Sequence, residues 1–233
     1  MLTVSTLELM LTVSTRISKV APSMPRAPTP KPNRYHHGDL REALLEAALE
    51  LADKKGPLAL TTRELARVLG VSHAAPARHF PSRAALVAEV AASAFELFGK
   101  ALERAASGAN PEDRLLRIGR AYVRFALKHP GLLRLMFSHE PSELKVPCER
   151  LGKAGDAAYA ALENAVVDAL GARATPERVA RASFMAWSVV HGAVSLWLDG
   201  PMAHGLRDRG GEKAFLALAD AAIEATSRAL SLL

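Results

Sequence analysis

TTRELARVLGVSHAAPARHFPSR, residues 61–83, reads as two short helices joined by a tight turn. Thr61 is placed to cap the first helix, and Glu64 three residues on completes a capping box. Leu65, Ala66 and Leu69 follow at helical spacing. Gly70 ends that helix, because a left-handed turn residue costs least as glycine. Ser72 is the expected cap of a second helix over 73–79, which Pro81 closes. Ala66 is small enough to let the two helices cross closely and steeply, as in a helix-turn-helix, whose second helix enters the DNA major groove. His73, Arg78 and His79 are the exposed candidates on that second helix, which is too short to be stable without neighbours.

Composition agrees with such a unit set in a larger helical body. The chain has 233 residues, 49% of them hydrophobic, with 5% aromatic, which favours packed helices over sheets. The net charge of +6 is uneven: residues 1–83 carry 12 Lys and Arg against 7 Asp and Glu, and residues 84–233 carry 18 against 17. The basic excess therefore lies with the turn motif, as a phosphate-facing module requires. The single cysteine, Cys148, excludes an internal disulfide and suits a reducing cytoplasm. No apolar run is long enough for a membrane span, and no secretory signal is legible, so a cytoplasmic protein is expected.

Outward from the motif, residues 1–36 read as a disordered, Pro-rich basic arm. Pro22, Pro25, Pro28, Pro30 and Pro32 forbid regular helix, and Met24 is an alternative start. Arg34 and its basic neighbours could follow phosphates or a minor groove. A helix over 39–55, capped by Asp39 with Glu42 and stopped at Gly56–Pro57, supports the two-helix unit and completes a three-helix head over 37–97. A long helix over 82–106, capped by Ser82, leads from this head into a body over 98–233. In the body, helices are expected over 110–129 (Asn110 as cap, Pro111 at the first position), 132–137, 148–170, 175–198 and 212–233, with a Pro-containing loop over 139–147.

GVSHAAPARHFPSRAALV, preceded by TTRELARVLG and a first helix beginning YHHGDLREALLEAALEL, resembles the TetR family of bacterial transcriptional regulators. AWSVVHGAVSLWLDG, residues 186–200, resembles the Trp-His-Gly motif of one C-terminal subgroup. The resemblance implies an all-α homodimer with an N-terminal DNA-binding head, a body that binds a small effector, and repression as the usual outcome. Carried over by position, the family's phosphate and base contacts fall on Thr61, Thr62, Arg63, Ser72, His73, Ala74, His79 and Arg83. Two positions depart from the family pattern. Ala77 stands where a phosphate-binding Tyr is usual, and Pro76 is expected to remove one backbone bond from the recognition helix.

The 175–198 helix carries two apolar stripes, so it must be buried on two sides. Val190, Val194 and Trp197 on one stripe, with Phe215, Leu218 and Ala222 on the last helix, are the expected contacts of a four-helix homodimer interface. Dimeric symmetry predicts double-stranded DNA with an inverted repeat as the target. Tyr122, Phe125, Met136, Phe137, Phe184, Trp187 and His191 are the candidate effector contacts, mostly large and apolar, with Tyr122 or His191 orienting the ligand. There is no P-loop, no G-x-S-x-G and no H-E-x-x-H, and no histidine grouping has zinc-site spacing. Catalysis, a metal and a cofactor are therefore not expected. The competing class is a helical small-molecule-binding or interaction protein whose head has lost DNA affinity.

Overall fold

A computed structural model describes residues 37–137 and 148–230 as helices and their connections, with no strand among them. The arm with Arg34, the 139–147 loop and residues 231–233 lie outside the described residues. The head consists of α1 (His37–Lys55), a short 3-10 turn (Pro57–Ala59), α2 (Thr62–Leu69) and α3 (Ala74–His79). The body follows as α4 (Arg83–Ala106), α5 (Pro111–Lys128), α6 (Pro130–Phe137), α7 (Glu149–Leu170), α8 (Pro176–Leu198), the short α9 (Met202–Leu206) and α10 (Gly211–Leu230).

The local chemistry explains most of these boundaries. Thr61 caps α2, its Oγ1 accepting from the Glu64 N–H at 3.1 Å, and Gly70 ends the helix at φ 65°. Ser82 caps α4 and Thr175 caps α8 in the same way. Three expected caps differ. α1 begins at His37, so Asp39 lies inside it rather than before it. Asn110 stands at the cap position of α5 with no side-chain bond, because Pro111 already presets the first turn. Ser72 does not cap α3 either: the cap position is His73, and the Ser72 backbone carbonyl accepts from Ala75 N–H at 3.0 Å.

Pro76 costs α3 nothing. It is the third residue of the helix, where the backbone N–H has no intrahelical acceptor to lose. Its carbonyl still accepts from the Phe80 N–H at 2.9 Å, and its ring is buried.

The head closes on Leu44, Ala48, Leu60, Leu65, Phe80 and Leu86, all buried. α4 runs on from this core. Its residues from Leu86 to Ala94 are buried except Glu89, because the head covers one side and α7 the other. Glu89 joins three helices: it pairs with Arg41 of α1 at 2.9 Å and with Arg150 of α7 at 3.0 Å. Arg150 also holds Glu96 at 2.7 Å and the hydroxyl of the buried Ser93 at 2.9 Å.

A second joint links head and body. Asp53 at the end of α1 meets His129 Nδ1, just ahead of α6, at 2.7 Å. Beside it, Gly131 lies against the α1 backbone so closely that an added Cβ would be 2.3 Å from the Ala52 carbonyl oxygen and 2.4 Å from that of Asp53.

Candidate nucleic-acid interface and ligand cavity

On the head, α2 and the start of α3 form a shallow surface groove lined by Thr61, Arg63, Glu64, Arg67 and His73. Glu64 is engaged by both Arg67, at 2.8 Å, and Lys55, at 3.0 Å. These two cations draw its carboxyl down to about 2, with Arg67 the stronger influence. Arg63 and Arg78 are exposed and hold no ion pair among the described residues. Ser72, His73, Ala74 and Ala77 are exposed beside them, while Thr62 and His79 are half-buried. This face presents two uncommitted guanidinium groups and small side chains at the start of a helix, which suits a phosphate backbone with a groove behind it.

Arg83, expected at the phosphates, is engaged within the head. Its guanidinium donates to the Leu60 carbonyl at 3.0 Å and the Pro57 carbonyl at 3.1 Å, tying the start of α4 to the loop before α2. Arg83→Ala leaves those half-buried carbonyls without this donor. It should lower stability by ~1–2 kcal/mol while keeping the salt slope of DNA binding. A stable variant whose slope falls by about one unit in salt titrations would return Arg83 to the phosphates.

In the body, one cavity of about 430 Å³ lies between α4, α5, the end of α6, α7, α8 and α10. Phe95, Phe98, Tyr122, Phe137, Tyr159 and Trp187 line it, with aliphatic side chains such as Leu102, Ile118, Leu162 and Ile223 between them. No side chain on its wall carries a charge. The Tyr122 hydroxyl lies 2.6 Å from His191 Nδ1. Burial raises the Tyr122 pKa, opposed by a hydrogen bond with Trp187, and burial lowers that of His191. Both groups are therefore neutral at pH 7. A neutral imidazole completes the pair in either tautomer, Nδ1 accepting from the phenol or donating to its oxygen.

The expected effector residues thus divide. Tyr122, Phe137 and Trp187 line the cavity, and His191 sits behind Tyr122 as its partner. Phe125 and Met136 are buried in the surrounding core, and Phe184 is 68% exposed on the outer face of α8, because the helix turns it away from the body. The expected dimer residues divide as well. Val190, Val194 and Phe215 are buried within the chain's own body, and Trp197 stacks on Phe215 with ring centroids 4.8 Å apart. Leu218 is exposed and Ala222 half-buried. The ridge of α8 left outside runs through Phe184, Ser188, Gly192 and Leu196, one helical turn apart, with only Gly192 half-buried.

Sequence reasoning missed Arg67 in the head groove, and it missed the cavity contributions of Phe95, Phe98, Tyr159 and Ile223. The helical spacing of Phe95 and Phe98 signalled burial, but a cavity wall and a filled core have the same spacing. Among the described residues no cluster of His, Cys, Asp and Glu could hold a metal ion, and no helix is long and apolar enough to cross a membrane.

Comparison with known proteins matches two family models to these two regions. Residues 44–90 match "Bacterial regulatory proteins, tetR family", and residues 115–222 match "Tetracyclin repressor-like, C-terminal domain". A solved structure described as a protein with unknown function from Rhodococcus sp. RHA1 is 33% identical. It superposes with a TM-score of 0.65 over 85% of this chain and 96% of that one. The TetR family transcriptional regulator PfmR from Thermus thermophilus shares the fold at 24% identity, with a TM-score of 0.57 over 79% of this chain and 97% of that one. The nucleoid occlusion factor SlmA of Aliivibrio fischeri is 35% identical over 117 residues, or 47% of this chain. The match spans 54%, about half, of that relative's length.

Proposed function

This chain belongs to the TetR family of bacterial regulatory proteins, and we propose that it works in the cytoplasm as a homodimeric repressor, released from an inverted-repeat operator by a small, mainly apolar effector. The DNA-binding head and the regulatory role come with the family. The finer reading rests on one observation: α4 begins in the head, at Ser82 and Arg83, and supplies Phe95, Phe98 and Leu102 to the cavity. An occupant of the cavity therefore touches the helix on which the head is mounted.

Release requires that the occupant bind one body shape better than another; it shifts the equilibrium only by that difference. Membership of the Trp-His-Gly subgroup is part of this reading, supported by Trp187 and His191 meeting around Tyr122. The reading gives the protein no catalytic step.

The experiment is fluorescence anisotropy with labelled duplexes from beside its own gene, followed by titration of apolar compounds selected by thermal shift. Specific binding in the ~10⁻⁸ M range, weakened by at least one stabilising compound, is the expected result. Binding no tighter than to unrelated DNA, or hits that never alter DNA affinity, would remove the repressor or the release mechanism respectively.

A further inference from the structure

A glycine inside a helix is destabilising relative to alanine and calls for a reason. Gly155 lies in the interior of α7. It is not among the glycines with positive φ, and a Cβ added to it would meet nothing within 4 Å. Gly119, by contrast, faces an Ile223 methyl that an added Cβ would approach to 3.0 Å. Neither backbone conformation nor close packing accounts for Gly155. It lies on the cavity wall, on the same face of α7 as Ala158, Tyr159 and Leu162, which also line the cavity.

The rest of that wall defines what would fill the space. Six of the chain's 7 Phe, 3 Tyr and 2 Trp surround this one cavity. Its walls hold no charge to compensate an ion. The Tyr122 hydroxyl is paired with His191 and the Thr226 hydroxyl donates to the Ala222 carbonyl at 2.8 Å, which leaves the neutral Ser227 hydroxyl on the wall. An ion entering here would lose its hydration without a charged partner, whereas aromatic rings meet favourable edge and face contacts on several sides.

We propose that Gly155 is the specificity-determining residue of the cavity, leaving open the space that an uncharged aromatic ligand occupies. This rests on the cavity being the effector site. A side chain at position 155 would occupy that space and compete with the ligand without touching the head.

The test uses the full chain and a matched pair of probes. N-phenyl-1-naphthylamine is uncharged, and 8-anilinonaphthalene-1-sulfonate is the same framework carrying a sulfonate. Binding is read by energy transfer from the tryptophans, Trp187 at the wall and Trp197 on the same helix. Unmodified protein should bind the neutral probe at least ~10-fold more tightly than the anion, and Gly155→Leu should weaken the neutral probe by at least ~10-fold, a change of about 1.4 kcal/mol. Gly152→Leu is the control, since Gly152 lies on the same helix, has equal room for a Cβ, and is not on the wall. It should bind the probe as the unmodified protein does.

If circular dichroism shows that Gly155→Leu does not fold, Gly155→Ala decides: melting should rise while neutral-probe affinity falls. Unchanged affinity in the folded Gly155 variant, or an equal loss in Gly152→Leu, overturns the role of Gly155. Equal affinity for the two probes overturns the uncharged class. If unmodified protein takes up neither probe, the cavity is not a ligand site, and the effector reading falls together with this one.

Discussion

Replacing Gly131 by alanine should lower the stability of the protein by ~2–3 kcal/mol, a fall in Tm of roughly 5–10 °C. The added Cβ would sit 2.3 Å from the Ala52 carbonyl oxygen, 2.4 Å from that of Asp53 and 2.7 Å from the Asp53 Cα. All three are backbone atoms in the last turn of α1, so no side chain can rotate away to make room. Ala52 O is also the acceptor for Gly56 N–H at 2.8 Å, in the bond that closes α1. The substitution must therefore push α6 off α1 or unwind that closing turn. Either movement stretches the 2.7 Å contact between Asp53 and His129. The variant should also bind operator more weakly, because the head loses one of its two joints to the body. A Tm within a degree of the unmodified protein, measured by calorimetry, would mean that this joint is far softer than its geometry implies.

Phe184→Glu should convert the protein to monomers. Phe184 is the most exposed aromatic side chain described, at 68%, and with Ser188, Gly192 and Leu196 it forms a ridge at four-residue spacing along α8. Ser188 and Gly192 are small, and a Cβ added at Gly192 meets nothing within 4 Å, so a second helix can approach closely between Phe184 and Leu196. Leu218 of α10, 51% exposed, extends the apolar surface expected at a family dimer contact. Burying a Phe contributes ~1.5–3 kcal/mol, and twofold symmetry counts each substitution twice. The loss of at least ~3 kcal/mol corresponds to more than a hundredfold in the dimer dissociation constant. Sedimentation velocity at micromolar protein should show one light species, and affinity for an inverted repeat should drop to that for a single half-site. A dimer that survives Phe184→Glu but yields to Leu218→Glu would move the contact onto α10.

The head was readable because its signals are local. Thr61 and Glu64 are three residues apart, and Gly70 announces a left-handed turn by its identity alone. Ser72 misled because a serine before a helix offers two oxygens, and here the backbone one is used. The carbonyl bonds of Arg83 were illegible for a related reason: a guanidinium that ties carbonyls and one that waits for phosphate are the same residue in sequence. The joints were illegible because they are distant, with Asp53 and His129 separated by 76 positions. That α8 is apolar on more than one side was legible, but not which of its residues meet the core, the cavity or the outside. A body core, a ligand cavity and a dimer contact all ask for the same kind of residue, and only the packing of α8 separates Val190 from Phe184.

The length of α4 sets how much movement a regulator of this build needs. From Phe98 at the cavity to Arg83 at the head, the helix covers about 22 Å at ~1.5 Å per residue. A rigid rod of that length, tilted by ~5° about its cavity end, carries the other end through nearly 2 Å. Hydrogen bonds to phosphate work within a few tenths of an ångström of ~2.9 Å. A displacement at the cavity no larger than a side chain's ordinary adjustment is thus geared up, at the DNA end, to more than such a contact can follow. In a dimer it would be imposed at both half-sites at once.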